Sequence, residues 1–255
     1  MMRWRIDIEY DGTPFAGWQV QPEQRTVQGC LTEAARQFLG EAVGVEGAGR
    51  TDAGVHAVQQ VAAFTTSVER PLSSIVPGLN AHLPDEIAVV HASVADQDFH
   101  PRHSPHTKCY RYRWLDRGVR SPLRRSRVWC VRDSLDVQAM ASAVDAMRGT
   151  HDFSSFRAVG CSSKHPVRTI EGASVTRVGE EVHLELLGTG FLRHMVRIVA
   201  GHLYEIGRGS RAPEWLAQVR DHKQRDPAAR TAQPGGLTLQ WIRYADPSAG
   251  ELELL

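Results

Sequence analysis

Little in this chain of 255 residues points away from an ordinary globular fold. No stretch approaches the roughly 20 consecutive apolar residues of a membrane-spanning helix, which argues against an integral membrane protein. The opening Met1-Met2-Arg3-Trp4-Arg5-Ile6-Asp7 lacks the apolar run of a secretory signal and reads as a first strand, so the expected location is the cytoplasm. Cysteine is sparse: Cys30, Cys109, Cys130 and Cys161 are scattered, with no Cys-x-x-Cys pair. That spacing disfavours metal knuckles and dithiol redox motifs and implies reduced, mostly buried thiols. Net charge is scarcely present, at +1, and by itself names no partner. The two halves of the chain share no convincing sequence identity, so any repeat is architectural.

What is present is more informative. Hydrophobic residues make up 42% and charged residues 23%, the balance of a soluble protein able to build a sizeable core. From Arg102 to Arg132 there are 10 Lys or Arg residues and one acid, Asp116. A block of one sign repels itself unless an anion neutralises it, and arginine forks suit phosphate. A solvated basic face would look much the same.

Periodicity gives the elements. Trp4, Ile6, Ile8 and Tyr10 alternate along a half-buried strand. Thr26 can cap a helix carrying Val27, Leu31, Ala34, Ala35 and Phe38, which Gly40 ends. A strand over 55–64, a short helix over 72–79 and a strand over 87–94 complete a first half, residues 1–102. The second half, 103–255, opens on a strand over 108–115 with Tyr110, Tyr112 and Trp114 on one face and Arg111 and Arg113 on the other. A helix over 135–147, a hairpin around Val178-Gly179-Glu180-Glu181, a helix over 191–206 and a strand over 237–244 follow. Each half approximates the split ferredoxin-like β-α-β pattern. The expected fold is therefore α+β: two such halves joined into an extended, mostly antiparallel sheet, helices on one face, with a central cleft. The acidic ending Glu251-Leu252-Glu253-Leu254-Leu255 suggests no role.

The chemistry points to Gly47-Ala48-Gly49-Arg50-Thr51-Asp52-Ala53-Gly54-Val55-His56-Ala57. Glycines flank a charged pair, and glycine permits tight turns and close ligand approach. The spacing is not that of a dinucleotide-binding G-x-G-x-x-G loop, and a strand follows rather than a helix. From residue types alone, Arg50 and Asp52 serve equally well as catalytic groups or as a structural ion pair.

The run Gly49-Arg50-Thr51-Asp52-Ala53-Gly54-Val55-His56 resembles the catalytic motif of the TruA family of tRNA pseudouridine synthases. Glu9-Tyr10-Asp11-Gly12, Gly17-Trp18-Gln19, Thr26-Val27-Gln28, Asn80-Ala81-His82-Leu83-Pro84 and Asp98-Phe99-His100-Pro101-Arg102 are similar to further landmarks of that family. So are Tyr110-Arg111-Tyr112, Gly149-Thr150-His151-Asp152-Phe153, Ser155-Phe156-Arg157 and Phe191-Leu192-Arg193-His194-Met195-Val196-Arg197. The family's basic pair before the aromatic strand is Lys108-Cys109 here, one positive charge fewer.

The resemblance implies cofactor-free isomerisation of uridine to pseudouridine at positions 38–40 of the tRNA anticodon stem-loop, by a homodimer. It implies Asp52 as the catalytic carboxylate, Tyr110 as the active-site tyrosine and Arg197 as the carboxylate's counter-charge. A carboxylate can trap an electron-poor sugar or base and then let go. Arg50 would occupy the gap left by a flipped nucleotide. Arg193, four residues before Arg197 on the expected helix, would share its face and reach phosphate. Arg102, Arg111 and His56 are expected among the RNA contacts. His100, His103 and His106, spaced by three around Pro101 and Pro105, read as surface or RNA-contacting histidines rather than a metal site. Two other classes stand as alternatives: a non-catalytic RNA-binding protein, and a metal-dependent hydrolase, which would need a second carboxylate that the loop does not offer.

Overall fold

The computed structural model describes residues 1–161, 163–227 and 230–245. The acidic ending 251–255 lies outside the described residues. The chain forms two compact units, one of Met1–His106 with the described residues from Leu239 on, the other of Thr107–Thr238.

In the first unit the strand order is β4-β1-β3-β10, with β2 also on β3. β1 is Met2–Tyr10, β2 Glu46–Gly47, β3 His56–Thr66, β4 Ile87–Val94 and β10 Leu237–Tyr244. β1 pairs antiparallel with both β3 and β4. Its alternation buries Trp4, Ile6, Ile8 and Tyr10 together with Val27, Leu31, Ala34, Ala35 and Leu39 of helix α1, Val27–Leu39. Burying each large side chain of this kind favours folding by about 1.5–3 kcal/mol. Thr26 caps α1, its side chain accepting the Gly29 N–H at 3.2 Å, and Gly40, at φ 77°, ends it. Helix α2, Leu72–Asn80, packs on α1 where Gly78 lies under the Phe38 ring. At its end the Asn80 amide pairs with the Val89 backbone in both directions, at 2.9 and 2.8 Å, as a strand would.

In the second unit the order is β5-β9-β8-β7, with β6 on β5. These are His106–Leu115 (β5), Trp129–Cys130 (β6), Gly149–Asp152 (β7), Val167–Val178 (β8) and Glu181–Gly188 (β9). Pairing is antiparallel except for the parallel β5–β6 bridge. Tyr112, Trp114, Val182, Leu184 and Leu186 are buried with Met140, Ala143 and Val144 of α3 (Val137–Val144) and Ile198, Val199 and Leu203 of α4 (Met195–Gly207). Gly207 admits Met140 because a Cβ there would meet its sulfur at 2.6 Å. The α+β class and the predominance of antiparallel pairing are as the sequence implies.

Three expectations need correction. The helix placed over 135–147 begins at Val137, because Asp136 caps it by accepting the Ala139 N–H, and ends in a 3-10 turn. The helix placed over 191–206 begins only at Met195: His194 adopts φ 61°, left-handed, and interrupts any continuation from Phe191. Helix α5, Trp215–His222, and the short strands β6 and β7 went unanticipated.

Candidate active site

The Asp52 loop belongs to the first unit. β2 pairs with β3, Ala48 N–H donates to Val61 O at 2.9 Å, and the chain then leaves the sheet and returns at His56. Within the excursion Val55 N–H donates to Asp52 O at 3.1 Å, closing a turn that holds Gly54 at φ 77°. The loop lies on a bed made by residues 10–18. Gly12 is obligatory there, since a Cβ would stand 1.9 Å from Val55 O. Gly17, at φ 103°, brings the chain so close that a Cβ would meet Thr51 O at 2.7 Å, and Trp18 N–H donates to that same oxygen at 3.1 Å. Gln60 Nε2 donates to Gly49 O at 3.1 Å, and the Tyr10 hydroxyl meets Thr51 Oγ1 at 2.8 Å.

On this pinned backbone Asp52 is half-buried, whereas Arg50 is exposed. Arg50 makes no ion pair or side-chain hydrogen bond among the described residues, so the structural Arg50–Asp52 pair is not formed. His56, expected among the RNA contacts, is fully buried, and its Nδ1 accepts the Gly12 N–H at 3.1 Å. The same nitrogen lies 3.1 Å from Asp11 Oδ1. Arg102 is exposed beside His100, whose Nδ1 accepts the Arg102 N–H at 3.1 Å. A separate cleft of about 670 Å³ beside α1, lined by Arg25, Cys30, Glu33 and His82 among others, holds none of the expected site residues.

The second unit carries the remaining candidates. Tyr110 is buried on β5, the edge of its ring against Phe191 with centroids 5.1 Å apart. Phe191 was legible only as part of a family-like run, not as a partner of the tyrosine. Arg197 sits in the first turn of α4, and its Nε donates to Ala232 O at 2.9 Å. The backbone reciprocates, Ala232 N–H donating to Arg197 O at 3.0 Å, so two bonds fix the base of this side chain. Burial pushes the Tyr112 hydroxyl far above its ordinary range, and Arg197 draws it partly back. Arg193 precedes α4, so the one-face argument with Arg197 does not hold. It reaches the carbonyls of Val159 and Gly160 only at 3.5 and 3.4 Å and remains exposed.

The basic block is less cationic than its sequence. Arg111 pairs with Glu185 at 2.6 Å, and Arg117 and Arg124 face Glu180 at 3.2 and 3.5 Å on the β8–β9 turn. Arg120 and Arg125 stay exposed. The histidines do not assemble: the His100 and His103 rings lie 4.3 Å apart, but His106 turns to Ser104 O and Tyr244. No group of three or more His, Cys, Asp or Glu able to hold a metal occurs among the described residues. Among the described residues no cysteine is in a disulfide, and only Cys109 is buried, the other three being partly exposed rather than mostly buried as expected. No described helix is long and apolar enough to cross a membrane.

A family profile described as tRNA pseudouridine synthase matches residues 7–104 and 143–245, which includes the whole Asp52 loop together with Arg193 and Arg197. The tRNA pseudouridine synthase A of Myxococcus xanthus is 45% identical over 247 residues, covering 96% of this chain and 93% of that protein. The enzyme of the same name from Pelobacter propionicus is 45% identical over 240 residues, covering 94% of this chain and 98% of its own. The solved Cbf5-Nop10-Gar1 complex matches 94% of this chain and 59% of that one, at TM-score 0.32 and 13% identity, too slight a likeness to bear on the fold. The chain belongs to the tRNA pseudouridine synthases, isomerases that act on tRNA.

Proposed function

We propose that this enzyme converts uridine to pseudouridine at positions 38–40 of the tRNA anticodon stem-loop, without a cofactor and with Asp52 as its catalytic carboxylate. One observation carries the reading: the family-like run Gly49–His56 forms a loop hydrogen-bonded at Gly49, Thr51 and Val55 that leaves Asp52 half-buried. Preorganisation of this kind is what a carboxylate needs when its task is to meet a developing positive centre.

The reaction is an isomerisation. The C1′–N1 bond breaks, the uracil turns, and a C1′–C5 bond forms; C5 gives up its proton and N1 gains one. Asp52 stabilises or traps the electron-poor centre between these events. Tyr110, held edge-on by Phe191, offers a ring for the uracil and a hydroxyl for proton transfer. Arg197, anchored at Ala232, serves as the carboxylate's counter-charge. The target base flips out for the chemistry, and the exposed guanidinium of Arg50 fills the space it leaves. Arg193, Arg102 and the exposed arginines of the basic block bind phosphate. The enzyme works as a homodimer in the cytoplasm.

The test is pseudouridine mapping on unmodified tRNA, with chelator present and Asp52→Ala alongside. New pseudouridine in the anticodon arm, with the wild type only, supports the reading. Product elsewhere moves the site. Product from Asp52→Ala refutes the role of the carboxylate. Tight binding with no product from either protein would favour a non-catalytic RNA-binding protein.

A further inference from the structure

The loop is fixed from below by buried polar groups. Tyr10 is 2% exposed, Thr51 7% and Gln60 0%. Their polar atoms lie in the interior of the first unit, where an unmatched hydroxyl or amide is costly. Gln60 stands on β3 opposite Ile8 of β1. Its Oε1 accepts the Val61 N–H at 3.2 Å and its Nε2 donates one hydrogen to Gly49 O at 3.1 Å. The Tyr10 hydroxyl is hydrogen-bonded to Thr51 Oγ1 at 2.8 Å. Because Trp18 N–H already holds Thr51 O, the side chain and the carbonyl of Thr51 are both fixed. The peptide plane leading into Asp52 follows, the Val55 N–H bond to Asp52 O fixes the plane leaving it, and the two together set the direction of the Asp52 Cα–Cβ bond.

We propose that Tyr10 and Thr51 form a buried hydrogen-bond relay, beside the Gln60–Gly49 bond, that positions the Asp52 carboxylate, making Tyr10 a positioning residue for the isomerisation although it touches no substrate. The inference rests on Asp52 being the catalytic carboxylate. Tyr10 also has an ordinary core role: its ring packs beside Trp18, centroids 6.3 Å apart. Tyr10→Phe keeps that ring and removes only the hydroxyl, which separates the two roles.

The experiment measures single-turnover pseudouridine formation and tRNA Kd for Tyr10→Phe, Thr51→Val, Thr51→Ser, the double variant Tyr10→Phe with Thr51→Val, and Asp52→Ala. A loosened carboxylate lowers the rate of chemistry without weakening binding, so Tyr10→Phe and Thr51→Val should each fall about 10- to 100-fold in rate, with Kd within about 2-fold of wild type. The double variant should fall no further than either single one, because both remove the same bond. Thr51→Ser keeps the hydroxyl and should stay within about 3-fold of wild type. Additive losses, losses confined to Kd, or wild-type rates for Tyr10→Phe and Thr51→Val would overturn the relay while leaving Asp52 in place. An active Asp52→Ala would instead sink the reading beneath it. Should Tyr10→Phe not fold, the Thr51→Val and Thr51→Ser pair decides.

Discussion

Gly17→Ala is the sharpest perturbation of the Asp52 loop available without touching the loop itself. Two costs follow from the structure. Alanine at φ 103° enters a left-handed region, at about 1–2 kcal/mol. Its Cβ would stand 2.7 Å from Thr51 O, and 3.2 Å from both Ala53 N and the Asp52 carbonyl carbon. Ordinary contact needs roughly 3.5 Å, so the loop must retreat by about 0.5–1 Å or the Trp18–Thr51 hydrogen bond must open, at about 1 kcal/mol. Together these give about 2–3 kcal/mol, and for a chain of this size about 2–4 °C of Tm per kcal/mol. The catalytic consequence is larger, since a displacement near 1 Å at a reacting group costs about 100-fold in rate. Gly40→Ala is the control: it carries the same kind of strain, at φ 77°, with nothing within 4 Å of the added methyl. Gly40→Ala should lower Tm and leave single-turnover pseudouridine formation unchanged. Gly17→Ala should lower Tm and cut the rate about 10- to 100-fold. A Gly17→Ala rate within about 2-fold of wild type, or an equal loss in Gly40→Ala, would refute the argument that the bed sets the carboxylate.

Other outcomes follow from the same contacts. tRNA affinity should fall linearly in log–log with salt; Arg120→Ala and Arg125→Ala should each flatten the slope by about 1, whereas Arg111→Ala, already offset by Glu185, should flatten it less. Equal slopes for all three variants would show that the local ion pair does not matter. Removing the α1 cap with Thr26→Ala should cost about 1 kcal/mol in a urea titration, and no loss would mean that the Gly29 bond is idle. Burial raises the Tyr10 hydroxyl from 10.0 to about 12, so its folded-state contribution is complete below pH 10 and is lost as pH climbs through 12. The stability advantage of wild type over Tyr10→Phe should therefore shrink by about 2–3 kcal/mol between pH 9 and 12, and a constant difference would contradict the burial argument.

Local pattern carried much of the fold. Alternation at Trp4, Ile6, Ile8 and Tyr10 identified β1, Thr26 and Gly40 bounded α1, and Gly179 turned the β8–β9 hairpin. These signals are written within a few residues of where they act. His194 shows the limit: nothing in its neighbourhood announced a left-handed residue, and placing it in a helix put Arg193 and Arg197 on one face that does not exist. α5 was missed for a related reason, since its buried residues are only Leu216 and Val219, too short an apolar stripe to stand out.

The sequence alone determined most of the longer elements, the family-like run around Asp52 and the residues worth testing, because periodicity and motif spacing are local properties. Only tertiary structure decided what those residues touch. Tyr10 and Thr51 are 41 positions apart, and Gly12 and His56 are 44 apart. Arg111 and Glu185 are 74 apart, and their pairing removes a cation that the sequence count had offered to RNA. A side chain's partner depends on which strands lie next to one another and on which face of each strand is buried, and neither is settled until the chain has closed on itself.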